Sequence, residues 1–280
     1  MIPFALQTPP TQQQPLSPQA IQAKAEALEK AQKWNELADL FESLAPRDRG
    51  FFLTYWLKAL QKAQRWERML EVCEAAIPQI EAKSGPKAGL ERLLRANALS
   101  RLERHPEALA AHRENGKLGS MASYRSACSE ARLVPDWLSE QACADALLAL
   151  KPGDAEALAW KGEALAQQKK FEDAESTLRE ALKADPKQSF AWSNLGRCLN
   201  ERAAFREALE VLNQSLALDP TLPEAHYNRG RTNFELKQFQ ESVEDFRFAL
   251  ASRPGDPDLL ENLRQAERYL KAARHGAKSR

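Results

Sequence analysis

Sulfur is scarce in this chain, which has four cysteines and three methionines in 280 residues. Cys73, Cys128, Cys143 and Cys198 form no CxxC pair and lack the close spacing of a zinc site. All four fall on or beside helix-packing positions, so they are expected to be small buried hydrophobes. Without a secretion signal, disulfides are not expected. Charge of one sign is also missing, because 40 Lys and Arg meet 39 Asp and Glu for a net charge of +1. No whole-chain field therefore draws in nucleic acid or an acidic membrane. No apolar run approaches the length of a bilayer span. The opening MIPFAL is too short for a signal core and has no basic residue before it, so a cytoplasmic location is expected.

Catalytic signatures are missing as well. The chain has no Walker loop, no GxSxG elbow, no HExxH and no GxGxxG after a strand. His105 and His112 are seven apart and can share a helix face, but no third ligand stands at helical spacing. No enzyme activity, metal, other cofactor or small-molecule substrate is expected.

What the chain does have is a period. Pro152, Pro186, Pro220 and Pro254 fall 34 residues apart, and so do Gly162, Gly196 and Gly230, and Phe171, Phe205 and Phe239. A fixed period of this length means one supersecondary unit copied along the chain. The three clearest copies run 155–188, 189–222 and 223–256. In the second copy, Trp192, Leu195, Gly196 and Leu199 lie at helical spacing, followed by Phe205, Ala208, Leu212 and Ser215. Asp219-Pro220 then stops the second helix, since proline cannot continue it. Asp154 and Asp256 suit N-caps, Pro257 suits a first turn, and Thr221 with Glu224 makes a capping-box pattern. Gly196 and Ala208 belong where the two helices cross, because larger side chains would force the axes apart.

The order W-x2-L-G-x2-L, then A-x3-L, then S and P resembles the tetratricopeptide repeat, and the likeness covers residues 155–256. It implies an all-α, right-handed α-solenoid. Upstream the period is blurred. A copy starts at Met121, and Trp34, Trp66, His105 and Trp137 stand at the starts of second helices, spaced 32, 39 and 32. The 39 predicts about five extra residues near AKSGPK, with Gly85-Pro86 as a loop. About seven helix pairs are expected. The expected organisation is a disordered or extended Pro/Gln-rich tail over 1–16, with Ser17-Pro18 opening the first helix, then degenerate repeats over 17–120 and 121–154. Three well-matched repeats over 155–256, a capping helix over 257–273 and a basic tail over 274–280 complete it.

The resemblance implies a function. First helices of such repeats line a concave surface that meets a peptide. The candidate contacts there are Arg125, Arg132, Asn194, Arg197, Asn228 and Arg231. Asparagine can hydrogen-bond a peptide backbone twice, and arginine can grip a carboxylate with two parallel bonds. The expected partner is a protein or peptide, with an acidic or carboxylate-bearing segment gripped by Arg197 and Arg231. The family's chaperone-binding members hold a terminal carboxylate with lysines and asparagines, a set that Ala159 and Glu163 break here. A non-catalytic adaptor or assembly factor is the main expectation. The alternatives are an accessory module that recruits a separate enzyme such as a transferase, or a nucleic-acid-binding helical repeat. Arg229-Gly230-Arg231 looks like an RNA-binding tripeptide but coincides with the crossing glycine. A second surface is the aromatic run around Phe51, Phe52, Tyr55, Trp56 and Trp66, read as core with a partner-binding patch as the alternative.

Overall fold

A computed structural model describes residues 16–44, 46–84, 88–134 and 136–278. The expected tail falls almost wholly outside these residues, and so does the expected Gly85-Pro86 loop. Sixteen α-helices and no strand occur among the described residues. The chain divides into two compact units, the first ending at Glu103 and the second beginning at Arg104.

The first unit contains α1 (Pro18–Lys30), α2 (Trp34–Glu42), α3 (Pro46–Phe51), α4 (Leu53–Lys62), α5 (Trp66–Ser84) and α6 (Gly89–Arg101). The second contains α7 (His105–Lys117), α8 (Met121–Leu133), α9 (Trp137–Leu150), α10 (Ala155–Gln167) and α11 (Phe171–Ala184). It continues through α12 (Ser189–Glu201), α13 (Phe205–Leu218), α14 (Pro223–Glu235), α15 (Phe239–Ser252) and α16 (Pro257–Lys278). Apart from α3 and α16, the helices follow one another as seven helix–turn–helix pairs, the right-handed α-solenoid pattern. The boundary between the units falls in the turn between α6 and α7.

The turn inside six of the pairs has one geometry. A single non-glycine residue adopts the left-handed conformation two positions before the second helix. These residues are Gln32, Gln64, Glu103, Lys169, Ala203 and Lys237, with φ between 55° and 62°. Such turns are closed by a backbone bond back to the first helix, as from Lys170 N to Leu165 O at 3.0 Å. The turn thus recurs in the first unit, where the sequence period has lost its regularity.

Inside a pair, the crossing glycines bring the helices together. A Cβ built on Gly162 would lie 2.6 Å from Leu178 Cγ, and one on Gly230 would lie 2.8 Å from Phe246 Cδ1. Gly196 meets Leu212 in the same way. Such approaches leave no room for a side chain, so the glycine and the large residue opposite form one fitted unit. The corresponding places upstream hold Ala25 with Phe41, Leu57 with Cys73, and Cys128 with Ala144, all buried.

Three caps follow the sequence. Ser17 Oγ accepts from Ala20 N at 3.2 Å, Asp154 Oδ1 accepts from Ala157 N at 3.1 Å, and Asp256 Oδ1 accepts from Leu259 N at 3.1 Å. Thr221 is not a cap. Leu222 occupies that place without a side-chain bond, and Thr221 Oγ1 donates to Asp219 Oδ1 at 2.7 Å. The Asp219 side chain closes the turn on itself and takes the hydroxyl the box would need.

Two lengths differ from expectation. The extra residues after Trp66 lengthen α5 to 19 residues, with Pro78 inside it. Pro78 removes one backbone donor but does not end the helix. At the other end, α16 runs to Lys278, so Arg274 belongs to a helix and not to a tail. Leu259 and Ala266 of α16 are buried against Val243, Phe246 and Ala249, with Tyr227 and Phe234 beside them. Glu261, Arg264 and Arg268 face outward, and so α16 seals the apolar face of α14 and α15 with a polar surface.

All four cysteines are free and buried. Burial pushes the Cys73 thiol up to about 12 and that of Cys198 up to about 11, so neither is a thiolate at neutral pH. In the aromatic run, Phe52 and Trp56 are core, whereas Phe51 is 78% exposed and Tyr55 53% exposed.

Candidate partner-binding face

In the second unit the first helices of successive pairs pack side by side, α12 against both α10 and α14. On the face formed by α8, α10 and α12 lies a cleft of about 570 Å³. Arg125 and Arg132 of α8, Trp160 of α10 and Phe190 of α12 line it, together with Lys151 and Lys187 from the intervening turns. Asp154, Glu156 and Asp185 share the rim, so the cleft mixes both signs around two aromatic rings.

Each arginine has a local history. Arg125 donates to Asp154 Oδ2 at 2.8 Å and to Glu156. It therefore ties α8 to the residue that caps α10. Burial opposes ionisation of Asp154, but the Ala157 N–H, Lys151 and Arg125 outweigh it and hold the carboxyl below the usual range. Arg132 Nε stands 3.1 Å from Glu163 Oε2, and its guanidinium lies 4.5 Å from the centre of the Phe190 ring. It thereby joins α8, α10 and α12.

Beside Arg132 are two buried carboxyls. Glu140, on α9, is 0% exposed, and neither of its oxygens accepts a hydrogen bond from a donor group, Arg132 Nε being 3.9 Å away. Burial first, and the neighbouring Glu163 charge second, push Glu140 up to about 9. Burial also raises Glu163, against the pull of Arg132 and Arg197. Glu140 is thereby held protonated at neutral pH, and the two carboxyls titrate as a coupled pair. Two guanidinium groups, those of Arg132 and Arg197, act on Glu163.

Arg197 is one of them, and its Nε and Nη2 are buried without a hydrogen-bond partner. One turn earlier on α12, Asn194 is 7% exposed and its Nδ2 is also unpartnered. These three unused donors lie on one face of one helix, and buried polar groups normally have partners.

The other two expected contacts are placed differently. Asn228 is buried in a polar seam between α12 and α14. Its Nδ2 lies 3.5 Å from Ser193 O, its backbone carbonyl accepts from Asn200 Nδ2 at 2.9 Å, and Thr232 Oγ1 donates to Asn200 Oδ1 at 2.8 Å. Arg231 donates to Glu201 Oε1 at 2.9 Å and lines a separate cleft of about 180 Å³ beside Asn262. Arg125 and Arg132 share a cleft, and Asn194 and Arg197 share a helix face. Arg197 and Arg231 stand one repeat apart on α12 and α14, Arg231 paired with Glu201 and Arg197 near Glu163. Arg229 is engaged by Asp245, donating from Nε and Nη2 at 2.9 and 2.8 Å, which gives the Arg-Gly-Arg tripeptide a structural role.

Three members of this face escaped sequence reasoning. Phe190 lies at the start of α12 and Lys187 in the turn before it, both outside the positions expected to face a ligand. Glu140 lies on a second helix, considered only for packing. Its signal was an acid spaced three, four and seven residues before Cys143, Ala144 and Leu147, a core-facing stripe. No cluster of three or more His, Cys, Asp or Glu able to hold a metal occurs among the described residues. His105 Nδ1 instead lies 2.8 Å from Glu130 Oε2, and burial holds the His112 imidazole below its usual range. No helix among the described residues is long and apolar enough to cross a membrane.

Three repeat families match within this unit: a tetratricopeptide repeat at residues 141–189, a TPR repeat at 201–237 and a tetratricopeptide repeat at 223–256. Two solved structures share the fold. The APC/C hetero-tetramer Cut9–Hcn1 superposes with a TM-score of 0.59 at 16% identity, covering 89% of this chain and 48% of that one. A thermophilic TPR protein of Thermus thermophilus has a TM-score of 0.51 at 19% identity, covering 64% of this chain and 98% of that one. At these identities the likeness concerns fold alone. No curated protein matches the chain in sequence.

Proposed function

We propose, from the premise that this chain is a tetratricopeptide-repeat protein, that it is a non-catalytic scaffold that holds a segment of a partner polypeptide on the α8–α10–α12 face. The observation that carries the proposal is the cleft of about 570 Å³ lined by Arg125, Arg132, Trp160 and Phe190, with the unpartnered Arg197 and Asn194 donors buried on the same helix as Phe190 and open to a partner only if their side chains turn outward. Unpaired buried donors cost stability unless something accepts from them. A partner's carboxylate or backbone carbonyl is the acceptor that a fork-shaped guanidinium and an amide suit. Four basic residues, Arg125, Arg132, Lys151 and Lys187, line the cleft against three acidic ones, Asp154, Glu156 and Asp185, and this balance favours an acidic segment. The mixed rim does not supply the basic stripe that phosphate contacts require. Four free buried cysteines suit a reducing compartment such as the cytoplasm.

The test compares capture by the full chain and by Arg197→Glu under matched conditions, with quantitative mass spectrometry and a salt series. A partner lost at least tenfold in the variant, and weakened by salt in the wild type, supports the site. Equal capture by both would place recognition elsewhere. Unchanged helicity and melting of the variant exclude unfolding as the cause.

A further inference from the structure

We propose a second, independent docking site in the first unit: a pocket between α1 and α4 that receives one large apolar side chain flanked by a basic residue on a partner polypeptide. The helix α2 packs against both α1 and α4, and a cavity of about 190 Å³ opens between those two helices. Its floor is apolar, made by Leu37 and Phe41 of α2 with Phe52. Phe41 and Phe52 stack with ring centres 5.7 Å apart, and Phe52 meets Tyr55 edge-on at 6.5 Å. The rings thus run from the core outward to Tyr55, which is half exposed on the wall. Phe51 stands at right angles to Phe52 at 5.0 Å and is 78% exposed. An apolar floor continuous with exposed rings is a surface that gains by covering.

The rim decides the occupant. Glu26 and Glu29 project from α1 over the opening, and Lys58 from α4 is the cation that faces them. Lys58 Nζ donates to Glu29 Oε1 at 2.6 Å, while Glu26 takes only a neutral bond from Gln22 at 3.0 Å. One acidic charge is therefore left over at the mouth. The cavity volume matches a single ring or branched aliphatic side chain, with a lysine or arginine beside it to meet Glu26. An acidic neighbour would be repelled there, so this pocket and the α8–α10–α12 face select for opposite charge.

The probes are three acetylated and amidated pentapeptides with the sequences AKFKA, AEFEA and AKAKA, titrated into the full chain. Binding is read from NMR shifts at Leu37, Tyr55 and Lys58. The proposal expects AKFKA to shift these signals with at least tenfold higher affinity than the other two. In Glu26→Lys/Glu29→Lys, whose changes lie at the surface, the preference should invert toward AEFEA. Tyr55→Ala should lose AKFKA while keeping its melting temperature. No shift at Leu37 and Tyr55, or equal shifts from AKFKA and AEFEA, would overturn the proposal. A tenfold gain in AKFKA affinity on deletion of residues 1–15 would overturn it in favour of the chain's own leading segment. Concentration-dependent broadening of the same signals without peptide would overturn it in favour of a second copy.

Discussion

The two units fold the same turn around different cores. In the second unit, three crossings pair a glycine with Leu178, Leu212 or Phe246, and first helices pack flank to flank. In the first unit the crossing places hold Ala25 with Phe41 and Leu57 with Cys73, so in the latter the large residue has moved to the first helix. The first helices α1 and α4 part to leave a pocket. The left-handed turn residue is nonetheless present in both units. Backbone geometry at the turn is the more durable part of the repeat, and the residues at the crossing are free to trade volume around it. Polar content differs too. The position held by Asp245 in α15 is Leu40 in α2 and Val72 in α5, all buried. The last pair is knit by a buried carboxylate where the early pairs use apolar contact.

This contrast can be broken at several points, and the largest effect is expected at the end of the array. Deleting 257–278 uncovers Val243, Phe246 and Ala249, and the truncated chain should self-associate, as light scattering would show. A monomer with unchanged melting would remove the capping role of α16. Next is Asp245→Asn, which strips the charge from a group holding Arg229, Asn233 and His226. A loss of about 3 kcal/mol in denaturant unfolding is expected, because it leaves a partly buried guanidinium unpaired.

Opposite changes of volume should each destabilise, enlargement in the second unit and truncation in the first. Gly162→Val should cost about 1–3 kcal/mol by overpacking against Leu178. Leu57→Gly should destabilise by leaving a cavity, and adding Cys73→Leu should recover part of the loss by restoring the second unit's arrangement. If the double variant is no better than the single, the traded-volume account fails. The smallest effect is a slope with pH. Glu140 has its folded pKa raised above its unfolded value, so the folded state binds the extra proton. Its contribution is fully present below about pH 4.5 and is lost as pH rises toward about 9. Glu140→Gln should flatten that fall, with the variant gaining on the wild type between pH 6 and 9. Parallel curves would mean that Glu140 is ionised in the folded protein.

Helix ends from Ala155 to Ser252 were legible because proline, glycine and aromatic residues mark them at a fixed period. The six-residue α3 was not, since PRDRGF has no periodic face to read. The length of α5 was misjudged because Gly85-Pro86 advertises a loop, whereas the extra residues before it continue a helix through Pro78. At the site, position was legible and engagement was not. Arg125, Arg132 and Arg231 were found by register, but Asp154, Glu163 and Glu201, their partners, lie on neighbouring repeats. Whether such charges meet depends on how helices splay, which no single repeat encodes. Asn228 was likewise found by register, but packing turned it into the seam.

The six left-handed turn residues leave this chain with a margin for change. A non-glycine residue in that conformation is strained by about 1–2 kcal/mol, and glycine would relieve it while losing about 0.5–1 kcal/mol in chain entropy. Replacing Gln32, Gln64, Glu103, Lys169, Ala203 or Lys237 by glycine should each add about 0.5 kcal/mol. None of these residues lines the α8–α10–α12 cleft or the α1–α4 pocket. The protein can therefore be stabilised at its turns while its docking surfaces are left free to diversify, and a stabilised version is the natural starting point for evolving new specificities.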